Sequence, residues 1–363
     1  MLDQPAGTRP STKKHGRGLE SVSMREVAAR AGYSRSAVSL ALQGHPSIPA
    51  TTRQMILDAA QKLGYRKNPL VAALMRSRRS RKSQDAPRAP LAFLTSHPPN
   101  DSWRQAATHH RFHAAAVTRA SELGFQLDEF SIANPALRPD RVRALLKARG
   151  IHGLLIAPLP GGNTQLDFDL TDFAAVGLGL SVRVPEIDRI ADDHFFSTQL
   201  AFERGLALGY RRIGLALAAG VSRRLEDRWW SGYLLAQQQV APRARIPALM
   251  PETREEIPAK LTDWITRHRV DAVIFSLRAP ELMKRASPSV GLISLSVLDA
   301  SGKIAGIRQD TYRIGAGGID LLVGKLQHWS TEANQPPRLL LVRGAWCDGA
   351  SAPGPGKNRR TLV

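Results

Sequence analysis

Ser23-Met-Arg-Glu-Val-Ala-Ala-Arg-Ala-Gly-Tyr-Ser-Arg-Ser-Ala-Val-Ser-Leu-Ala-Leu42 decides the fold of the amino-terminal end of this chain. Ser23 and Glu26 stand at capping-box spacing, which predicts a helix opening at Met24. Val27, Ala28 and Ala31 recur at helical spacing and give that helix an apolar stripe. Gly32 stops it, because a helix C-terminus calls for a residue at ease in left-handed backbone. Ser34 then offers a second N-cap. Val38, Ala41 and Leu42 form the inner face of the second helix, with Arg35, Ser36 and Ser39 outside. Two short helices joined by a glycine-bearing turn read as a helix-turn-helix, whose second helix enters the DNA major groove.

A third helix is predicted over Ala50–Leu63, with Ile56, Ala59, Ala60 and Leu63 at helical spacing and Gly64 as its stop. Beyond it Asn68 is a good N-cap and Pro69 suits a first helical position. The helix they open is only about eight residues long, a length marginal in water, so it forms mainly when something orders it.

Val27-Ala-Ala-Arg-Ala-Gly-Tyr-Ser, Ala37-Val-Ser, Thr52-Arg and Leu63-Gly-Tyr-Arg-Lys-Asn-Pro-Leu resemble the lactose-repressor (LacI/GalR) family of bacterial transcription regulators. The resemblance extends more weakly through the rest of the chain. It implies a sequence-specific DNA-binding regulator, expected as a repressor. It also implies a hinge helix that folds on DNA, with Leu74, beside Leu70 and Ala73, facing the minor groove at the operator centre. An apolar wedge there partly unstacks a base step, and the bend gains backbone contacts. Ser34, Arg35, Ser36, Ser39 and Leu40 are expected in the major groove. Ser23, Arg25, Arg53, Arg66, Lys67 and Asn68 are expected on the DNA backbone. The family often has a base-reading arginine where Leu40 stands. Leucine cannot donate to guanine but can touch a thymine methyl, so an operator other than the family's usual one is expected.

The charge distribution agrees. The 363 residues carry 51 Lys+Arg against 31 Asp+Glu, a formal net charge of +20. Residues 1–90 hold 17 basic and 5 acidic residues, so one quarter of the chain carries more than half of the excess. Clustered basic residues are the footprint of phosphate contact and predict salt-sensitive binding. Cys347 is the only cysteine, which excludes an intramolecular disulfide and a zinc-finger reading. The basic leader has no apolar signal region, and no run approaches the ~20 apolar residues of a membrane helix. The expectation is a cytoplasmic protein with no membrane partner and no cofactor. Residues 1–20 and 351–363 are expected to be disordered tails.

Residues 21–67 thus form the DNA-binding domain, and 68–90 the hinge helix and linker, the latter charged and proline-punctuated. From Leu91 onward apolar strands alternate with helices, which implies α/β architecture with parallel sheets covered on both faces. One helix is expected across Arg224–Gln239. The resemblance supplies what periodicity does not, a two-lobed, periplasmic-binding-protein-like body over 91–350. Lobe one is expected at 91–190 and 302–330, and lobe two at 191–301 and 331–350.

Ligands in open α/β sheets bind beyond the carboxyl ends of strands. Ser96, Trp103, Arg228 and Ser276 are the candidates there for a small-molecule effector, a sugar or another metabolite. Two family signatures are displaced. Trp229, not Arg228, stands three residues before Gly232-Tyr233, and Ser294-Leu-Ser-Val-Leu-Asp replaces a Gly-aromatic-Asp-Asp run. Operator half-sites related by a two-fold axis call for a homodimer. Enzyme signatures are absent from the sequence: no G-x-x-x-x-G-K-[ST], G-x-S-x-G or C-x-x-C occurs. His109 and His113 share a helical face, but Arg104, Arg111 and Arg119 oppose a cation. Gly315-Ala-Gly-Gly318 reads as close packing. The alternatives are an effector-independent architectural DNA-binding protein and an α/β enzyme fused to a DNA-binding domain.

Overall fold

The structure is a computed structural model. It describes residues 24–42, 45–63, 65, 88–97, 103, 106–134, 136, 138–276, 286–298, 301–327 and 336–357. The headpiece and the body are separate compact units. The leader and the expected hinge helix lie outside the described residues.

The headpiece has three helices, α1 (Met24–Ala31), α2 (Arg35–Leu42) and α3 (Ala50–Lys62). Val27, Ala28, Val38, Ala41, Ile56 and Ala60 are buried together, with Met24, Ala31, Tyr33, Leu42, Ile48, Leu63 and Tyr65 packed around them. This is the set that helical spacing selects, so the apolar period of the sequence and the core coincide. Gly32 has φ +72°, the left-handed value of a C-cap, and the Tyr33 N–H reaches back to the Ala28 carbonyl at 3.2 Å.

The body holds two sheets. Lobe one is built on β1 (Ala89–Thr95), β2 (Phe125–Ser131), β3 (Gly153–Ile156), β4 (Ala174–Leu178), β5 (Asp188–Asp192) and β10 (Leu339–Val342). Its order is β2-β1-β3-β4-β5-β10, parallel throughout. Helix α5 (Pro139–Ala148) packs Val142 and Leu146 on the face carrying Ala92, Leu94, Leu154 and Ile156. Helices α4 (Ala107–Glu122) and α10 (Thr311–Gln327) cover the other face. Their approach is close: a Cβ on Gly315 would meet the Phe112 carbonyl oxygen at 2.2 Å, and one on Gly318 would meet Leu155 and Leu178 at 2.9 Å. Packing is therefore the role of the 315–318 glycines.

Lobe two is built on β6 (Ile213–Ala216), β7 (Ala272–Phe275), β8 (Gly291–Ser294), β9 (Ala305–Arg308) and an antiparallel edge, β11 (Ala345–Cys347), in the order β6-β7-β8-β9-β11. Helices α6 (His194–Ala207) and α8 (Arg228–Ala236) bury Ala201, Phe202, Trp229 and Tyr233 on one face. Helix α9 (Ile257–His268) buries Ile257, Leu261 and Trp264 on the other. Both sheets are helix-covered on two sides, which is why their central strands are apolar without alternation.

Four expectations need correction. First, residues 305–308 belong to lobe two and residues 339–342 to lobe one, the reverse of the expected boundaries. Gly306 takes φ +148° and lies against Ser294, where a Cβ would meet the backbone oxygen at 2.0 Å, which holds β9 on β8. Asp188 on β5 accepts the Arg338 N–H at 2.7 Å and guanidinium at 2.8 Å and the Lys325 ammonium at 3.1 Å, which draws β10 beside β5. The chain therefore changes lobe after β5, after β9 and between β10 and β11.

Second, the single helix expected over 224–239 is two. Helix α7 (Ala219–Arg224) ends, Glu226 and Asp227 take φ +55° and +54°, and α8 starts at Arg228. The Ser222 hydroxyl donates to the Asp227 carboxylate at 2.6 Å and the Asp227 N–H to the Ser222 carbonyl at 2.8 Å, which fixes the break. Third, the expected tail is packed as far as it is described. Ser351 is fully buried; its hydroxyl donates to the Leu292 carbonyl at 2.6 Å and accepts the Ala305 N–H at 2.9 Å. The Gly354 N–H reaches the Tyr210 hydroxyl at 3.1 Å. Fourth, β5 and β11 are strands that the apolar pattern does not announce.

Candidate DNA-reading helix and interlobe site

In α2 the Ser34 hydroxyl accepts the Ala37 N–H at 3.2 Å, and the Ser34 carbonyl accepts the Val38 N–H at 3.0 Å. Ser34 is thus the N-cap, with its side-chain oxygen turned to the helix. Arg35 and Ser36 are exposed, while Ser39 and Leu40 are half-buried one turn on. Arg25 is exposed at the start of α1. Arg53 is drawn inward: its Nη2 donates to the carbonyls of His45 at 3.0 Å and Ile48 at 3.2 Å. It ties the segment before α3 to that helix, a job that charge counting did not foresee. Ser23, Arg66, Lys67, Asn68, Leu70, Ala73 and Leu74 lie outside the described residues.

In the body, the loops after β3 and β4 meet α7 and the turn behind it. Arg183 donates to the Arg223 carbonyl and Arg224 to the Leu159 carbonyl. Arg189 pairs with Glu226 at 2.8 Å and donates to the Leu180 carbonyl at 3.2 Å. Arg228 reaches Glu226 at 3.2 Å through both Nε and Nη2. The left-handed break at 226–227 therefore aims one carboxylate at an arginine from each lobe.

The four effector candidates fall differently. Ser96 stands at the carboxyl end of β1 with its hydroxyl buried and without a partner. Trp103 is 4% exposed, packed on Phe93 and His113 with ring centroids 5.3 and 5.2 Å away, and its indole N–H donates to Glu129 at 3.3 Å. It is core, not an open stacking face. Arg228 is held by Glu226. Ser276 is half-buried just beyond β7.

Beside Ser96 is a group that the sequence did not single out for this role. His97 contacts the Pro158 carbonyl through Nε2 at 3.1 Å and lies edge-on to His109, centroids 6.1 Å apart. Burial first, then the charge of Arg224 and the His97 ring, lower the His109 pKa to about 4. Burial, with Arg254 nearby, also lowers Arg224 from its ordinary value. His109 and His113 do share a helical face, but His113 packs on Phe93 at 4.6 Å while His109 lies against His97 and Phe112, with ring centroids 6.1 and 6.4 Å away. Among the described residues no group of three or more His, Cys, Asp or Glu is placed to hold a metal, and no helix is long and apolar enough to cross a membrane.

A second buried group marks the crossing from β5 to α6. The Asp192 carboxyl accepts the Ser197 hydroxyl at 2.9 Å, with its other oxygen buried and unpartnered. Burial raises its pKa to about 7. His194 contacts the Asp192 carbonyl through Nδ1 at 2.5 Å and lies 4.8 Å from the Trp229 ring; burial lowers its pKa to about 4.

Comparison with known proteins agrees with this architecture. Residues 23–68 match the family described as bacterial regulatory proteins, lacI family. The HTH-type transcriptional regulator PtxS of Pseudomonas plecoglossicida is 24% identical over 346 residues, covering 89% of this chain and 95% of PtxS. The lac repressor dimer bound to operator and the anti-inducer ONPF is 19% identical with a TM-score of 0.52, covering 95% of this chain and all of that one. The transcriptional regulator CelR in complex with cellobiose is 20% identical with a TM-score of 0.50, covering 91% and 100%. Residues 23–68 thus match the headpiece of the lacI family of bacterial regulatory proteins, and the body shares its fold with solved regulators of that kind.

Proposed function

We propose that this protein is a sequence-specific DNA-binding transcriptional regulator, a repressor, whose operator affinity is set by a small molecule held between the lobes of its body. The observation that carries this reading is the pairing of a capped helix α2 presenting Arg35 and Ser36 with a two-lobed body in which Arg224 of one lobe and His97 of the other reach neighbouring carbonyls of the loop after β3. A helix with polar residues at its exposed N-terminal turn suits base edges. Ser39 and Leu40 extend that face, and Arg25 is placed for phosphate. The lac repressor dimer bound to operator supports a homodimer here, each headpiece taking one half-site. The CelR–cellobiose complex supports an effector in the body.

The mechanism follows from the connectivity. The chain changes lobe at β5–α6, β9–α10 and β10–β11, so a ligand gripped by both lobes biases their angle. That bias reaches DNA only through the ligand's differential affinity for the two states. The regulator reading is preferred to an enzyme because the headpiece matches that of DNA-binding regulators and the solved structures of this fold include regulators with operator or effector bound. Footprinting of the full chain on genomic DNA tests the reading. One protected, dyad-symmetric site supports it, and diffuse protection at all sequences would instead indicate an architectural protein.

A further inference from the structure

The basic groups between the lobes say what kind of molecule fits there. Arg224, from α7 of lobe two, donates to the carbonyl of Leu159. His97, from the end of β1, contacts the carbonyl of the preceding residue, Pro158, at 3.1 Å. His109, from α4, lies edge-on to His97 with its Nδ1 buried and without a partner. The adjacent Ser96 hydroxyl is also buried and unpartnered. The loop after β3 thus takes an arginine from one lobe and His97 from the other, with the His109 ring and the Ser96 hydroxyl beside His97.

Carboxylates that would neutralise this group are engaged elsewhere. Glu226 is taken by Arg189 and Arg228, Glu252 by Arg223, and Glu129 receives the Trp103 indole. Leu159 is the one protein acceptor for the Arg224 guanidinium among the described residues, and no carboxylate among them pairs with it. The buried groups without partners are the His109 Nδ1 and the Ser96 hydroxyl; leaving such groups unpaired is costly, and a ligand oxygen would complete them. Arg254 adds a further positive charge on the same side.

We propose that the interlobe site takes a small organic anion, a metabolite bearing a carboxylate or phosphate, with Arg224 pairing its charge and His109 and Ser96 hydrogen-bonding its oxygens. This rests on the interlobe-effector reading above and sharpens it from any small molecule to one class. Guanidinium pairing with a carboxylate or phosphate is charge-assisted and geometrically specific. The anion offsets the repulsion between Arg224 and its basic neighbours, so its binding draws the lobes together at that point. Burial and the Arg224 charge hold His109 largely neutral at pH 7. An anion beside it favours the protonated ring, so binding takes up protons and strengthens as pH falls toward the ring's own pKa.

Thermal-shift and calorimetric titration of the full chain decide the matter. Gluconate, citrate, glucose 6-phosphate and ribose 5-phosphate are compared with neutral glucose and ribose, in the wild type, Arg224→Gln and His109→Gln. The expected result is stabilisation by at least one acid or phosphate and none by its neutral parent. Affinity should fall at least tenfold in Arg224→Gln and by less in His109→Gln. The carboxylate and phosphate arms tell the two sources apart. If Arg224 served only to close the lobes, the variant would melt earlier yet keep its full ligand-induced shift, which overturns the proposal. Stabilisation by a neutral sugar, unchanged in Arg224→Gln, overturns the anion class but leaves the interlobe-effector reading intact. No shift from any compound of either class counts against both.

Discussion

Arg189 on β5 and Glu226 in the left-handed turn between α7 and α8 lie 2.8 Å apart, Nη1 to Oε1, so one ion pair spans the two lobes. Both side chains are mostly shielded, 18% and 25% exposed. Burial raises the Glu226 pKa, but hydrogen bonds and charge from Arg189 and Arg228 outweigh it and hold the carboxyl below its ordinary value. A carboxyl with a depressed folded-state pKa contributes stability above its unfolded pKa and loses it as pH falls through the folded value. Glu226→Gln is expected to cost about 1–2 kcal/mol at pH 7, screening included. The loss should shrink below about pH 4.5. Denaturant unfolding at pH 7 and pH 4 checks both statements.

Asp192 and the two buried histidines pull stability in opposite directions. The Asp192 pKa is raised to about 7, so its contribution is present below about pH 4 and lost as pH rises toward 7. His194 and His109 are lowered to about 4, so theirs is present above about pH 6.5 and lost as pH falls toward 4. The charged groups around Asp192 are Asp193, which pairs with Arg343 at 3.9 Å, and His194, which itself feels Arg228 and Glu226. Asp192→Asn removes only the first trend. The variant is expected to gain stability relative to wild type between pH 4 and pH 7, by at most on the order of 4 kcal/mol. A melting-temperature difference that stays flat with pH contradicts the assignment.

Trp103 separates a packing role from a ligand role. Its ring is enclosed by Phe93 and His113. Trp103→Ala is expected to destabilise the body by about 3–5 kcal/mol, as large-to-small core changes do. Trp103→Phe should retain most of the stability and the whole ligand-induced thermal shift. Loss of that shift in a well-folded Trp103→Phe protein would return the residue to the effector site.

Two glycines of α10 should respond oppositely to alanine. At Gly315 a Cβ would sit 2.2 Å from the Phe112 carbonyl oxygen and 2.9 Å from the Ala115 Cβ; at Gly324 it would meet nothing within 4 Å. Gly315→Ala must push α4 and α10 apart and is expected to cost about 1–3 kcal/mol or more. Gly324→Ala is expected to stabilise by about 0.5–1 kcal/mol through helix propensity and a less flexible unfolded chain. Chemical denaturation of both variants tests the contrast.

The headpiece was legible because its signals are local. Ser34 as cap, Gly32 as stop and the Val27, Val38 and Ile56 core follow from spacing alone, as do the apolar strands β1, β3, β7 and β8. Less legible were features whose cause lies far along the chain. Strand β5 reads Asp-Arg-Ile-Ala-Asp, and its polar ends are tolerated because Arg338, Lys325 and Ser197 receive them. The break at Glu226–Asp227 interrupts a good helical period and is held by Arg189, some forty positions away. His97, His109 and Arg224 become one group only when a loop after β3 brings two lobes together. Of the three only His97, two residues past the end of β1, stands where strand ends would point to it.

The central claim is that α2 reads duplex DNA in a sequence-dependent way, and selection from random DNA with the full chain tests it most directly. The account expects an enriched dyad-symmetric site for the wild type. In Arg35→Ala one base position in each half-site should relax, with affinity lower by about 1–3 kcal/mol. Enrichment of no sequence, or a site recovered unchanged in preference and affinity with Arg35→Ala and Ser36→Ala, would contradict it.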